Sequence, residues 1–188
     1  MQRGLISFLT LLTCCTLGLS ACGSGGSGEL TANQGGTGTG NPVGGGGGAS
    51  TGHSTATPTE VAHAQSVITI TNMERATNGG LPALTENTAM SNVAWIYSKM
   101  MYDTNRFSHT DANGNGPGTR VSAAGISWTF VAENIAMGQT SAASVMTAWM
   151  NSAGHRANIL HTSPTEIGVG LYIAPDGTYW WTQLFRRP

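Results

Sequence analysis

The chain has 188 residues, of which 9% are charged, and its formal net charge at pH 7 is −1. No lysine and arginine cluster exceeds the pair Arg186–Arg187, which argues against binding to nucleic acid or to anionic membranes through a basic patch. All three cysteines lie in the first 22 residues, so disulfides, zinc fingers and cysteine nucleophiles are excluded from the rest of the chain.

The chain begins with the pattern of a bacterial export signal. Arg3 precedes the uncharged run 5–19, which is shorter than the roughly 20 residues of a membrane span and is typical of a signal-peptide core. The run ends in Leu19-Ser20-Ala21-Cys22, which resembles a lipobox. That resemblance implies that residues 1–21 are a lipoprotein signal peptide and that Cys22 is lipidated. The alternative is an ordinary signal peptide with Cys22 near its cleavage site.

Residues 22–56 are predicted to be the lipidated cysteine and a flexible tether. Of the 27 glycines, 14 lie between Gly23 and Gly52, and few large apolar residues accompany them. Such a composition cannot offset the entropy of ordering, and a coil of this length reaches roughly 30–35 Å. We expect a lipoprotein of the bacterial cell envelope, anchored to a membrane through Cys22 and facing the periplasm or the exterior. The choice between inner and outer membrane stays open.

Three helices are predicted at the start and middle of the domain formed by residues 57–188. Thr57-Pro58-Thr59-Glu60 is a capping box that opens a helix running to about Ala76. Apolar residues at helical spacing predict a second helix over about 87–103 and a third over about 141–151. The segment 154–160 is expected to add a turn or two.

The C-terminal part changes to the alternation of β-strands. Residues 167–173 alternate apolar side chains with glycine and tyrosine, a turn follows at 174–177, and residues 179–185 complete a hairpin. A further strand is expected at about 131–136. Helices come first and most strands last, which indicates an α+β layered domain.

Three tryptophans are expected either to line an apolar groove or to complete the core. Trp180 and Trp181 are neighbours in a predicted strand, and successive strand residues point to opposite faces. One of the two is therefore expected to be exposed or to lie in a groove. Trp128 precedes the first predicted strand.

Several ordered motifs of the domain resemble the CAP superfamily (cysteine-rich secretory, antigen 5 and pathogenesis-related proteins), in its bacterial SCP-like branch. The motifs span residues 60–186 and comprise Asn72-Met73-Glu74-Arg75, Gly80-Leu81-Pro82-Ala83-Leu84, Phe107-Ser108-His109-Thr110, Glu133-Asn134-Ile135-Ala136 and the segment 149–160. The resemblance implies an α-β-α sandwich, with a small antiparallel sheet between helical layers and an open cleft that gathers histidine and glutamate side chains.

By the same resemblance, His109, Glu133 and His155 are the cleft's titratable residues. Eukaryotic relatives carry another histidine where this chain has Trp180, so their full set of two histidines and two glutamates is not reproduced. The ligand-binding cleft is expected to contain His109, Glu133, Asn134, Ser152, His155 and Arg156.

Two imidazoles and one carboxylate are also a plausible site for zinc or another divalent metal. The candidate ligands, and equally the candidate catalytic residues, are His109, Glu133 and His155. The alternative for each is a hydrogen-bonded structural residue.

Ser152 and His155 are three residues apart and are candidates for a nucleophile and its base. No Gly-x-Ser-x-Gly motif is present, and a helix-capping role for Ser152 is the simpler interpretation. Residues 111–116 match the first half of an EF-hand loop, but the later ligand positions do not fit, which favours a plain turn.

Arg120 and Arg156 are expected to hold the loops around the cleft, through hydrogen bonds to Glu133 or to backbone carbonyls. Two functions stay open for the cleft. One is an envelope protein that binds a small lipid, glycan or peptide, and the other is a metal-assisted or acid-base hydrolase. We expect a monomer.

Overall fold

The structure is a computed structural model that describes residues 56–188. The predicted signal peptide, Cys22 and the tether up to residue 55 lie outside the described residues and stay predictions. Five helices and four strands follow one another in the described part: α1 (Pro58–Gly79), β1 (Thr85–Glu86), α2 (Thr88–Asp103), α3 (Pro117–Ala123), β2 (Phe130–Met137), α4 (Ala142–Met150), α5 (Ala153–Ile159), β3 (Glu166–Ile173) and β4 (Tyr179–Arg187).

The three predicted helices begin where the capping residues indicate. The Thr57 side chain accepts a hydrogen bond from the Glu60 amide, and the Glu60 side chain accepts one from the Thr57 amide, which confirms the capping box. The Asn87 side chain accepts a hydrogen bond from the Met90 amide at the start of α2, and the Ser141 side chain accepts one from the Ser144 amide at the start of α4. α1 continues three residues beyond its predicted end, to Gly79, before Gly80 adopts a left-handed conformation.

The four strands form one mixed sheet in the order β1-β3-β4-β2. The predicted hairpin is confirmed as the antiparallel pair of β3 and β4, and β2 is antiparallel to β4 on its other side. β1 differs from the prediction, because this two-residue strand lies parallel to β3 at the far edge. Neither β1 nor α3 was predicted, since both are too short for a periodic pattern to mark them.

Helices cover both faces of the sheet, which confirms the predicted α-β-α sandwich. Residues that pair in register share a face, and Gln183 of β4 and its partners Asn134 and Val169 belong to the face under α1 and α4. Leu184, on the opposite face, packs against Met90 and its neighbours in α2. No helix of the described residues is long and apolar enough to cross a membrane.

Two glycines of β3 let α2 lie directly on the sheet. A Cβ atom added at Gly170 would lie 2.0 Å from the Trp95 amide nitrogen, and one added at Gly168 would lie 2.5 Å from the Met90 carbonyl carbon. Both distances are below any normal contact, so α2 packs against bare backbone at these positions.

The prediction that either Trp180 or Trp181 is exposed or in a groove was wrong. Their exposed fractions are 6% and 0%. The two indoles do point to opposite faces, but each face carries a helical layer, so Trp181 joins the core under α1 and α4 while Trp180 packs beside Tyr97 and Met101 of α2. Trp128 lies against α3, where its indole nitrogen donates a hydrogen bond to the Ser122 hydroxyl.

Side chains form hydrogen bonds with backbone groups at the free edges of β2 and β3. The carbonyls of Glu133 and Ile135 in β2 accept hydrogen bonds from Asn158 (3.1 Å) and from the Trp149 indole (3.2 Å). On the β3 edge, the Ile173 amide donates to the buried carboxylate of Glu60 at 2.7 Å. Edge strands are thereby protected from pairing with another chain.

Candidate functional site

The candidate site lies along β2, the strand at one edge of the sheet. Glu133 in this strand is buried, with an exposed fraction of 6%, and its carboxylate is held from two sides. Oε1 lies 2.9 Å from Nδ1 of His109, and Oε2 lies 2.5 Å from Nη2 of Arg120. The imidazole of His109 is half-exposed, so this pair connects a buried carboxylate to the surface.

Arg120 is the residue that organises this end of the site. Besides Glu133, its guanidinium donates to the backbone carbonyls of His109 (3.1 Å) and Asn115 (2.8 Å). Its Cζ atom lies 3.3 Å from the centroid of the Tyr97 ring, a close cation–π contact. Arg120 therefore fixes both the Glu133 side chain and the loop that carries His109.

Tyr97 supports the same loop from α2. Its hydroxyl donates a hydrogen bond to the carbonyl of Ser108. Burial raises the pKa of Tyr97, while the charge of Arg120 acts in the opposite direction and that of Glu133 adds to the rise. The phenol thus stays protonated and keeps its role as a donor.

The loop after His109 is a turn and not an EF-hand, as the sequence favoured. The Asp111 carboxylate accepts hydrogen bonds from the amides of Asn113 and Asn115 and from the Asn115 side chain, at 2.8–2.9 Å. The side-chain hydrogen bond from Asn115 is the main cause that lowers the pKa of Asp111. The carboxylate serves its own loop, and Gly114 turns the backbone with a φ of 83°.

Asn134, the neighbour of Glu133, supports the site from the other face of the sheet. Its side chain is fully buried and donates to the carbonyl of His155 (3.1 Å) and to Gln183 Oε1 (3.0 Å), while it accepts from Asn158 (2.9 Å). Gln183 in turn donates to Thr71 of α1 at 2.8 Å. This chain of hydrogen bonds places α5 against β2, so Asn134 positions the cleft and does not line it.

His155 and Ser152 line a cavity of about 300 Å³ beside β2. The remaining walls are mainly apolar and are formed by Phe107, Ile135, Ala136, Met137, Gln139, Ala148 and Trp149. Burial is the main cause that lowers the pKa of His155, and the charge of His109 acts in the same direction. His155 is thus a neutral imidazole at neutral pH, and we name this cavity the β2 cleft.

The structure brings His109 and Glu133 into direct contact, but His155 joins them only through its electrostatic interaction with His109. Within residues 56–188, no hydrogen bond links His155 to Ser152, so no nucleophile and base are paired there. Ser152 is the N-cap residue of α5 as expected, but its side chain makes no capping hydrogen bond.

Of the two arginines expected to hold the cleft, only Arg120 does so. Arg156 is exposed, and its side chain forms no hydrogen bond or ion pair with any residue that the structure describes. Arg120 instead reaches Glu133 from α3, the helix that the sequence pattern did not reveal.

The arrangement does not fit a resident divalent metal. Both Glu133 oxygens are engaged, and one of them contacts the positive guanidinium of Arg120. No three His, Cys, Asp or Glu side chains are grouped as metal ligands in the described part of the chain. Trp180, which stands where relatives carry a further histidine, is buried near the Phe107 ring at a centroid distance of 6.3 Å. We therefore derive no chemistry through zinc.

Sequence reasoning missed the apolar walls of the β2 cleft. Phe107 is the first residue of one recognised motif and Met137 directly follows another, but neither belongs to an apolar pattern, and Trp149 was predicted as an ordinary core residue of α4. Asn158 is the one missed residue with a usable signal, because it lies on α5 one helical turn after His155 and bonds to Asn134.

Comparisons with known proteins agree with this architecture. The family model described as CAP, the cysteine-rich secretory protein family, matches residues 68–185. The Bacillus subtilis (strain 168) protein YkwD is 39% identical over 133 residues, which cover 70% of this chain and 50% of YkwD. This chain thus spans about half the length of that relative.

Two solved structures share the fold. An extracellular protein with an SCP domain from Bacillus anthracis is 31% identical, with a TM-score of 0.64 over 71% of this chain and 44% of that one. An outer surface protein from Borrelia burgdorferi is 22% identical, with a TM-score of 0.61 over 65% of this chain and 90% of that one. At that identity, the second likeness concerns the fold alone.

Proposed function

The chain belongs to the cysteine-rich secretory protein (CAP) family, and from this premise we propose that it is an extracytoplasmic binding protein whose β2 cleft holds a small lipid, glycan or peptide. One observation carries the proposal. The cleft is a cavity of about 300 Å³ with mainly apolar walls, and its polar framework is already fixed by the contacts of Glu133, Arg120 and Asn134. A preformed apolar cavity with a few polar groups is the usual form of a small-molecule site.

The rim of the β2 cleft favours a ligand with an apolar part. Phe107 and Met137 line it and have exposed fractions of 50% and 45%. Covering these side chains with a ligand would remove apolar surface from water. The neutral imidazole of His155 and the hydroxyl of Ser152 offer one donor and acceptor set to a polar group of the same ligand.

The proposed location is the bacterial envelope. The similar Bacillus anthracis structure is described as an extracellular protein, which supports an extracytoplasmic location for this chain. The lipobox-like Leu19-Ser20-Ala21-Cys22 supports anchoring through a lipid on Cys22, with residues 23–56 as the tether.

A second candidate is an acid-base hydrolase, and the lowered pKa of His155 is the observation that favours it. In such a reaction His155 would accept a proton from the attacking water, and His109 would donate one to the leaving oxygen or nitrogen. The products would be a carboxylic acid and an alcohol or amine. Binding is favoured over this reaction because His155 lines the β2 cleft and His109 does not, so the two imidazoles do not face one shared cavity.

The test uses the full-length chain and two alanines of α4. Ala148 lines the cleft, so Ala148→Phe should fill part of it, whereas Ala143→Phe adds the same bulk at an exposed position of the same helix. Each protein is incubated with a lipid extract and with a peptidoglycan digest, and both bound species and products are measured by mass spectrometry.

We expect the unaltered chain and Ala143→Phe to retain the same species without changing it, and Ala148→Phe to lose it. Equal retention by all three proteins would refute the cleft as the site. Turnover that disappears in His155→Ala would replace the binding proposal by the hydrolase.

A further inference from the structure

A second cavity, of about 380 Å³, lies between α2 and α3 and shares no lining residue with the β2 cleft. We name it the α2–α3 cavity. One part of its wall is apolar and consists of Val93, Ile96, Met100, Ala123 and Ala124. The other part is polar and consists of Tyr97, Asp111, Asn115, Thr119 and Arg120.

The apolar wall contains surface that the fold leaves uncovered. Ile96 lies in the middle of α2, and its exposed fraction is 52%. Its neighbours one turn along the helix, Val93 and Met100, line the same cavity. A helix that exposes an isoleucine beside a cavity offers an apolar molecule a place to bury its chain.

The polar wall carries one negative and one positive charge, and both have their partners within the chain. Asp111 accepts three hydrogen bonds from its own loop. Arg120 donates to Glu133 and to two carbonyls, and only its buried Nε lacks a partner among the described residues. An anionic ligand would therefore be repelled by Asp111, and a cationic ligand would be repelled by Arg120. In neither case does the wall offer an unpaired charge of opposite sign.

Neutral polar groups remain for a ligand at this wall. Thr119 is exposed, and its hydroxyl forms no hydrogen bond within residues 56–188. The side-chain oxygen of Asn115 is likewise unengaged there, since its amide nitrogen is the atom that bonds to Asp111. A hydroxyl and an amide oxygen suit an uncharged head group that both donates and accepts.

We propose that the α2–α3 cavity is a second binding site, which takes an uncharged amphiphile with its chain against Ile96 and Met100 and its hydroxyl or amide head at Thr119 and Asn115. The volume lies within the range of roughly 300–1,000 Å³ that small-molecule sites occupy. Because the α2–α3 cavity and the β2 cleft share no lining residue, this proposal can be tested independently of the proposed function of the β2 cleft.

The first test compares three probes that have the same eight-carbon chain and different heads: octanol, octanoate and octylammonium. Each is titrated into the full-length chain at pH 7, and the methyl resonances of Ile96, Met100 and Met137 are followed by NMR. Met137 reports on the β2 cleft and serves as the internal control.

We expect octanol to give saturable shifts at Ile96 and Met100, and both charged probes to bind there at least about tenfold more weakly. Shifts confined to Met137, no saturable shift at Ile96 and Met100, or equal affinity for the three heads would overturn the proposal. This comparison uses the unaltered chain and does not depend on any variant folding.

The second test fills the cavity. Ala123 is exposed at the end of α3, so Ala123→Leu should project into the α2–α3 cavity, while Ala76→Leu adds the same side chain at an exposed position of α1. Octanol affinity should fall at least about fivefold in Ala123→Leu and stay unchanged in Ala76→Leu. Equal affinity in both variants would show that octanol binds elsewhere.

Discussion

Replacing Arg120 by methionine should destabilise the domain strongly, because it removes the guanidinium that pairs with a buried carboxylate. The Glu133 side chain is 1% exposed and Arg120 contacts it at 2.5 Å. Removing one partner of a buried ion pair typically costs about 3–5 kcal/mol. The contacts with the carbonyls of His109 and Asn115 and with the Tyr97 ring are lost at the same time. We therefore expect a fall of about 3–5 kcal/mol in the free energy of unfolding.

The double variant Arg120→Met, Glu133→Gln makes this reasoning more specific. Arg120→Met leaves the Glu133 carboxylate with only His109 as a partner, and Glu133→Gln leaves the Arg120 guanidinium without a carboxylate, whereas the double change removes both charges. The double variant should be more stable than the sum of the single effects by about 2 kcal/mol, within the usual range for coupled residues. The assay is urea unfolding of the three variants and the unaltered chain.

Arg156 supplies the matched control, because it is an exposed arginine without partners among the described residues. Arg156→Met should change the unfolding free energy by no more than about 0.5 kcal/mol. The account of Arg120 is wrong if the two arginine variants lose similar stability, or if the effects at Arg120 and Glu133 simply add.

Three further predictions concern other parts of the chain. The pKa of His155 is lowered in the folded state, so the unfolded chain binds a proton more readily, and the domain should lose stability as the pH falls below the ordinary pKa of histidine. In His109→Asn, NMR titration should show the pKa of His155 moving back up, and an unchanged pKa would contradict the electrostatic link between the two histidines. Arg75→Met should cost about 3 kcal/mol or more in urea unfolding, because the buried guanidinium donates to the carbonyls of Pro82, of Ile159 at the end of α5 and of His161 just after it. A cost below about 1 kcal/mol would refute that role. Cys22→Ser should move the protein from the membrane to the soluble fraction, and unchanged partitioning would count against the lipid anchor.

Local signals in the sequence predicted the main helices well. Thr57, Asn87 and Ser141 are capping residues whose chemistry acts within three or four positions, so their helices begin where the sequence places them. α3 was missed because seven residues opened by Gly116 and Pro117 carry too little periodicity. The burial of both Trp180 and Trp181 was missed for another reason, since alternation tells which faces they take but not which faces are covered.

The candidate site was also predicted only in part from the sequence. The contact of His109 with Glu133 follows the family resemblance, and Arg120 was among the expected supports of Glu133. Sequence spacing did not show that Arg120, and not Arg156, would reach the carboxylate, because this depends on how α3 packs beside β2. The α2–α3 cavity depends on the same packing and left no motif in the sequence.

The binding proposal is tested most directly by native mass spectrometry of the full-length protein isolated from its native source. We predict that one small molecule co-isolates with each chain, that it is also present with Ala143→Phe, and that it is absent from Ala148→Phe. A bound molecule that survives Ala148→Phe, or the absence of any bound molecule from the unaltered chain, would contradict the β2 cleft as a binding site.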